Sequence, residues 1–179
     1  MFENISFCLT FRVNLSTMEK ISLQINYTRH TDVSELDQQE RRLCEAAVAA
    51  TESSYSPYSG FRVGAALQLE TGEIVPGSNQ ENMAYPSGLC AERTALFAAG
   101  AQFPGRAVTT MAVTAKTDRF LIRQPVTSCG ACLQVMAEFE KRQGSPIAVI
   151  FYCIGGEVIR LRSVRDLLPF AFNGEGLKG

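Results

Sequence analysis

The chain has 179 residues, of which 46% are hydrophobic and 20% charged, with a formal net charge of −1 and a sequence pI of about 5.9. These are the proportions of one ordinary globular domain with a sizeable core, and the scattered Lys and Arg argue against the basic face of a nucleic-acid binder. No stretch reaches the ~18 apolar residues of a membrane span, and Met1-Phe2-Glu3-Asn4 lacks the basic start of a secretory signal. A cytoplasmic protein with reduced thiols and a small-molecule substrate is therefore expected, with neither nucleic acid nor membrane as partner.

In chain order, residues 1–33 read as an N-terminal extension and 34–179 as the domain proper. Residues 1–18 match no element, and a disordered tail or a start at Met18 would account for them. Residues 20–28 alternate apolar and polar side chains and predict an added, half-buried edge strand. His30, the single histidine, follows it and reads as an exposed loop residue. Ser34 followed by Asp37 resembles a capping signal for a helix reaching about Glu52, with Leu36, Leu43, Ala47 and Ala50 on one face. Residues 53–60 form a Ser-, Tyr- and Pro-rich loop. Residues 61–69 and 74–77 flank Gly72 as a hairpin. In an extended segment, residues two apart face the same side. Asn79 and Glu81 could thus offer one amide and one carboxylate to sugar hydroxyls, although a polar surface turn would look the same. A helix over 89–99 stopped by Gly100, a β-rich run over 106–115, a polar loop and a helix over 131–142 follow. A strand over 146–152, a turn, a strand over 158–161 and a short helix from Ser163 complete an α/β layered domain.

Chemistry concentrates in Cys90-Ala91-Glu92-Arg93 and Cys129-Gly130-Ala131-Cys132. Both motifs fall at predicted helix starts, where free N–H groups and the helix dipole favour thiolates. Catalytic zinc takes three protein ligands and keeps a fourth position for water. Cys90, Cys129 and Cys132 meet that need, and with one histidine in the chain the site must rely on thiolates. Glu92, two positions after a ligand, would stand beside the water as a proton shuttle. Zinc deaminases carry such a non-ligand Glu with a C-x-x-C pair. Three thiolates leave a formal charge of −1 on the site, which Arg93 could offset by hydrogen-bonding sulfur. Phe61 suits either a stacking surface for a flat ring or an ordinary core aromatic. Cys44 and Cys153 read as core residues, and Cys8 has no interpretation.

These motifs, with Tyr58-Ser59, Val63-Gly64-Ala65-Ala66-Leu67, Asn79-Gln80-Glu81-Asn82, Tyr85-Pro86 and Gln134-Val135, resemble the small three-cysteine cytidine deaminases from roughly Leu36 to Phe172. Two positions depart: Ser128 stands where the family usually has Pro, and Leu133 where it commonly has Arg. The resemblance implies a three-layer α/β/α fold with a central mixed sheet of about five strands, to which the N-terminal strand is added. It implies one Zn²⁺ per chain and hydrolytic deamination of cytidine and deoxycytidine in pyrimidine salvage. It also implies Glu92 as the catalytic residue and Arg93 on the sulfurs, with Asn79 and Glu81 holding the ribose and Ala91 and Phe61 among the substrate contacts. Tyr85 and Phe172 match positions that reach across subunit contacts, so a homotetramer with shared active sites is expected. A deaminase of another cytosine nucleoside, of the blasticidin-S type, is the alternative enzyme. A non-catalytic zinc scaffold is the alternative class, and Glu92 argues against it.

Overall fold

In the computed structural model, residues 19–174 are described; the expectations for residues 1–18 lie outside them. Strands β2 (Arg62–Leu69) and β3 (Ile74–Ser78) form the expected hairpin. Gly72 closes it with φ 101°, a conformation open to glycine at little cost. The chain then crosses through α2 (Ala91–Gln102) to β4 (Val108–Lys116), antiparallel to β2, and through α3 (Gly130–Gln143) to β5 (Ala148–Tyr152), parallel to β4. Strand β6 (Val158–Leu161) returns beside β5, and the N-terminal β1 (Tyr27–His30) pairs with β6. One six-stranded mixed sheet results, in the order β1-β6-β5-β4-β2-β3.

The sheet is covered on both faces, and the alternation of side chains sorts the two cores. Ala65, Leu67, Met111, Val113, Val149 and Phe151 face α2 and α3, while Ala66, Ala112 and Ile150 face α1 (Gln38–Ala50). The layered α/β/α class is thus the observed one. Two glycines set the spacing of the helices on the sheet. A Cβ at Gly64 would stand 2.0 Å from the Ala47 carbonyl oxygen of α1. At Gly77 it would stand 2.5 Å from Ala95 N and 2.6 Å from Ala91 O. The first turn of α2 therefore rests on β3 backbone against backbone. At the far end of α3, buried Glu140 accepts from Ile147 N (2.7 Å), Val164 N (3.0 Å) and Ser163 Oγ, tying the helix, the residue that leads into β5 and the final turn together.

Several expected boundaries move. The added strand is real but covers Tyr27–His30 rather than 20–28, because β6 offers only four residues and its register ends at Tyr27 opposite Leu161. Ile21, Leu23 and Ile25 run past it, exposed. His30 closes the strand, half-buried, with Nδ1 3.4 Å from Glu35, and is not a loop residue. Asp37 is itself the cap of α1, accepting from Glu40 N at 2.8 Å. Ser34 instead lies in a short 3₁₀ turn capped by Asp32. Helix α1 ends at Ala50 and tightens into a 3₁₀ turn over Thr51–Ser53. Gly100 does not stop α2. The helix runs on to Gln102 and ends where Phe103 precedes Pro104, a residue that disfavours the helical region before it.

Candidate functional site

Cys90 and Cys129 occupy the caps of α2 and α3 with extended backbones (ψ 156° and 162°), so each thiol stands at a helix mouth. Cys132, on the first turn of α3, is fully buried. The Cys90 and Cys129 sulfurs lie 3.9 Å apart and those of Cys129 and Cys132 3.6 Å, all three falling within 4.8 Å of one another. Tetrahedral zinc with Zn–S bonds of 2.3 Å requires sulfurs about 3.8 Å apart. The donor set therefore fits zinc in both chemistry and spacing. Cys44 and Cys153 stand elsewhere: burial pushes the Cys44 thiol up to about 12, and Cys153 donates to Ile122 O at 3.5 Å.

The electrostatics favour thiolate at Cys90. Its pKa is pushed down to about 6, first by the neighbouring Cys132 thiol and then by Arg93, against burial and the charge of Glu92. Cys132 is held above the ordinary thiol range, first by Cys90, then by burial and by Glu92. Arg93 Nη2 donates to Cys90 Sγ at 3.7 Å, a contact that raises the guanidinium above its usual value. Leu133 packs into the core beneath and adds no charge. Arg93 Nε and Ser128 Oγ are buried and without a partner among the described residues, and both flank the sulfurs in sequence.

Glu92, in the first turn of α2, is 4% exposed. Its charge is felt by both Cys90 and Cys132, and it shares with Cys90 and Cys129 the wall of a cavity of about 740 Å³. That volume lies within the usual range for a small-molecule site. Phe61, Asn79, Glu81 and Tyr85 line the same cavity, so the structure brings most of the expected residues together.

Their surroundings differ from the expectation in part. The Asn79 amide is largely committed to the protein: Oδ1 accepts from Val63 N (2.8 Å) and Ser54 Oγ (2.5 Å), and Nδ2 donates to Phe61 O (2.9 Å). One Nδ2 hydrogen remains for a ligand. Glu81 accepts from Tyr58 N (2.9 Å), Ser59 N (3.3 Å) and the Ser59 hydroxyl, which holds its carboxyl below the usual range. Ser54 reads only as loop and Tyr58-Ser59 as a loop motif with no assigned contact, and their partners lie 22 to 25 positions away, beyond any local pattern. Phe61 stacks on Phe120 with ring centroids 6.2 Å apart and planes 18° apart. Ala91 is fully buried at the start of α2 and does not line the cavity. Tyr85 stands at the mouth, 82% exposed. Phe172 lies away from this cavity, its backbone paired with Gln134, and is also largely exposed.

The family model for the cytidine and deoxycytidylate deaminase zinc-binding region matches residues 37–145. The chain is 42% identical over 137 residues to a cytidine deaminase of Halalkalibacterium halodurans, covering 75% of this chain and 95% of that protein. It is 43% identical over 136 residues to that of Sporosarcina psychrophila, covering 76% and 93%. A crystal structure of cytidine deaminase from Burkholderia pseudomallei superposes with a TM-score of 0.63 at 44% identity, over 73% of this chain and 97% of that one. No helix among the described residues is long and apolar enough to cross a membrane.

Proposed function

The chain belongs to the cytidine and deoxycytidylate deaminase family, and from that premise we propose that it hydrolyses cytidine and deoxycytidine to uridine and deoxyuridine with release of ammonia. The observation that carries the proposal is buried Glu92, sharing one cavity with a three-thiol cluster of zinc spacing. Cys90, Cys129 and Cys132 would hold one zinc per chain. When bound, zinc supplies Lewis-acid activation of water near neutral pH. Glu92 receives the proton that water gives up and passes it to ring nitrogen N3, making C4 electrophilic. The water oxygen adds to C4. Glu92 takes the second proton from the new C4 hydroxyl and delivers it to the amino group, and the C4–N bond breaks to release ammonia as the C4 carbonyl forms. Phe61 offers its ring to the pyrimidine, and Glu81, with the remaining Asn79 N–H, receives the sugar hydroxyls. Any contact from Ala91 comes through its backbone, since its side chain is buried. The pathway is pyrimidine salvage and the compartment the cytoplasm.

A substrate panel tests this directly. Cytidine and deoxycytidine should be converted, with free cytosine, blasticidin S, adenosine and single-stranded oligonucleotides left behind. Preferential turnover of blasticidin S would shift the assignment to the other nucleoside deaminases, and no turnover of any member by zinc-loaded protein would leave a scaffold.

Glu81→Ala should lower kcat/KM for cytidine by roughly ten- to a hundredfold, since an unpartnered buried hydroxyl costs ~1–3 kcal/mol. Unchanged kinetics would reassign Glu81 to bracing the loop at Tyr58 and Ser59.

The proposed assembly is a homotetramer with shared sites, a reading that two exposed aromatics support. Tyr85 and Phe172 are 82% and 72% exposed in the isolated chain, as suits side chains covered by neighbours in a homotetramer with shared sites. Light scattering should give about four times 19.6 kDa; a fully active monomer would contradict it.

A further inference from the structure

After β4 the chain folds back over the loop that precedes β2 and the first residue of that strand, and three successive residues each make a contact there. Asp118 accepts both hydrogen bonds from Arg62 Nη2, at 3.0 and 2.8 Å. Arg119 Nη2 donates to Tyr58 O at 3.3 Å, and its guanidinium lies so close over Gly60 that a Cβ there would meet Nε at 2.8 Å. Phe120 stacks on Phe61. Phe61 lines both the site cavity and an adjoining outer groove of about 500 Å³, whereas Phe120 lines only the groove. The Phe61 ring is thus a partition with the substrate cavity on one side and Phe120 behind it.

We propose that Asp118-Arg119-Phe120 is a clasp on the substrate-binding loop, and that Phe120 is a positioning residue that fixes the Phe61 ring against the pyrimidine. The inference rests on the reading that Phe61 stacks on substrate. The backbone around Phe61 is already pinned, since Asn79 bonds its carbonyl and the Ser59 hydroxyl accepts from its N–H. What the backbone leaves free is the torsion of the side chain. A stacked neighbour removes that freedom before substrate arrives, and ordering already done does not weaken binding. The clasp acts on affinity for the ring, not on proton transfer, because none of its three residues lines the site cavity.

Phe120 is 60% exposed, so its truncation leaves both cores intact. In Phe120→Ala, KM for cytidine and the calorimetric Kd of the product uridine should both rise about three- to tenfold, the range of one aromatic pair. The kcat should stay within twofold and zinc content unchanged, and Phe120→Tyr should restore both constants. In a Phe61→Ala background, Phe120→Ala should add nothing, the signature of two residues acting as one unit. Wild-type KM in Phe120→Ala, or the same loss in both backgrounds, overturns the clasp while leaving the Phe61 reading standing. Wild-type KM and Kd in Phe61→Ala itself remove the stacking reading, and the clasp falls with it.

Discussion

Glu92→Gln is expected to retain zinc and fold, to bind cytidine, and to lose at least ~10³ in kcat. Gln matches Glu in size and still hydrogen-bonds, but it cannot carry a proton. The substitution also relieves burial of a charge at a position only 4% exposed, so the folded state is not endangered. General acid–base catalysis commonly contributes about 10²–10⁴-fold. In the proposed mechanism one carboxyl serves the water, the ring nitrogen and the leaving amine in turn, which places the expected loss in the upper part of that range or beyond it. Single-turnover and steady-state rates, read beside metal analysis, decide the matter. Loss of zinc from Glu92→Gln would make Glu92 structural, and near-normal turnover would require another proton carrier.

The second large effect concerns the metal. Cys129→Ala combined with Cys132→Ala should reduce zinc from about one per chain to near zero, and turnover should fall below that of Glu92→Gln. The double variant removes two of the three thiols that stand within 4.8 Å of one another. The remaining Cys90 and its Arg93 partner cannot hold zinc alone, because a zinc site needs three or four ligands. Cys44→Ala is the control: its thiol is buried in the opposite core and should not affect metal content. Full zinc in the double variant would remove the assignment, and loss of zinc in Cys44→Ala would point to unfolding rather than ligation.

Much of the site was legible because its chemistry is local in sequence. C-x-E and C-x-x-C each fit within one turn at a helix start, and the caps at Cys90 and Cys129 follow from the same short stretches. The hairpin and the three main helices were likewise readable, from a turn glycine, capping residues and apolar spacing. What was not readable depends on partners far along the chain. Asn79 reads as a ligand-facing amide, yet Val63, Ser54 and Phe61 take up most of it. The length of β1 was set by β6, more than a hundred residues away. The loop after β4 reads as polar, although Phe120 and Leu121 lie in it, and its grip on Phe61 spans 59 positions (120 minus 61).

The seat of α2 on Gly77 has a consequence for how such a protein can drift. The helix that begins after Cys90 and carries Glu92 stands on β3 at Gly77 through main-chain atoms of Ala91 and Ala95 and the single methyl of Ala95. Its height above the sheet at that point is therefore set by glycine, main chain and one methyl rather than by the larger core side chains. Leu96, Met111 or Phe151 can be exchanged for other apolar residues over evolutionary time, with the repacking absorbed around them, while the distance from Glu92 to the sulfurs keeps its value. Variation in the interior and constancy of the reaction geometry become compatible, and the whole cost of that freedom is confined to one position where no residue larger than glycine fits.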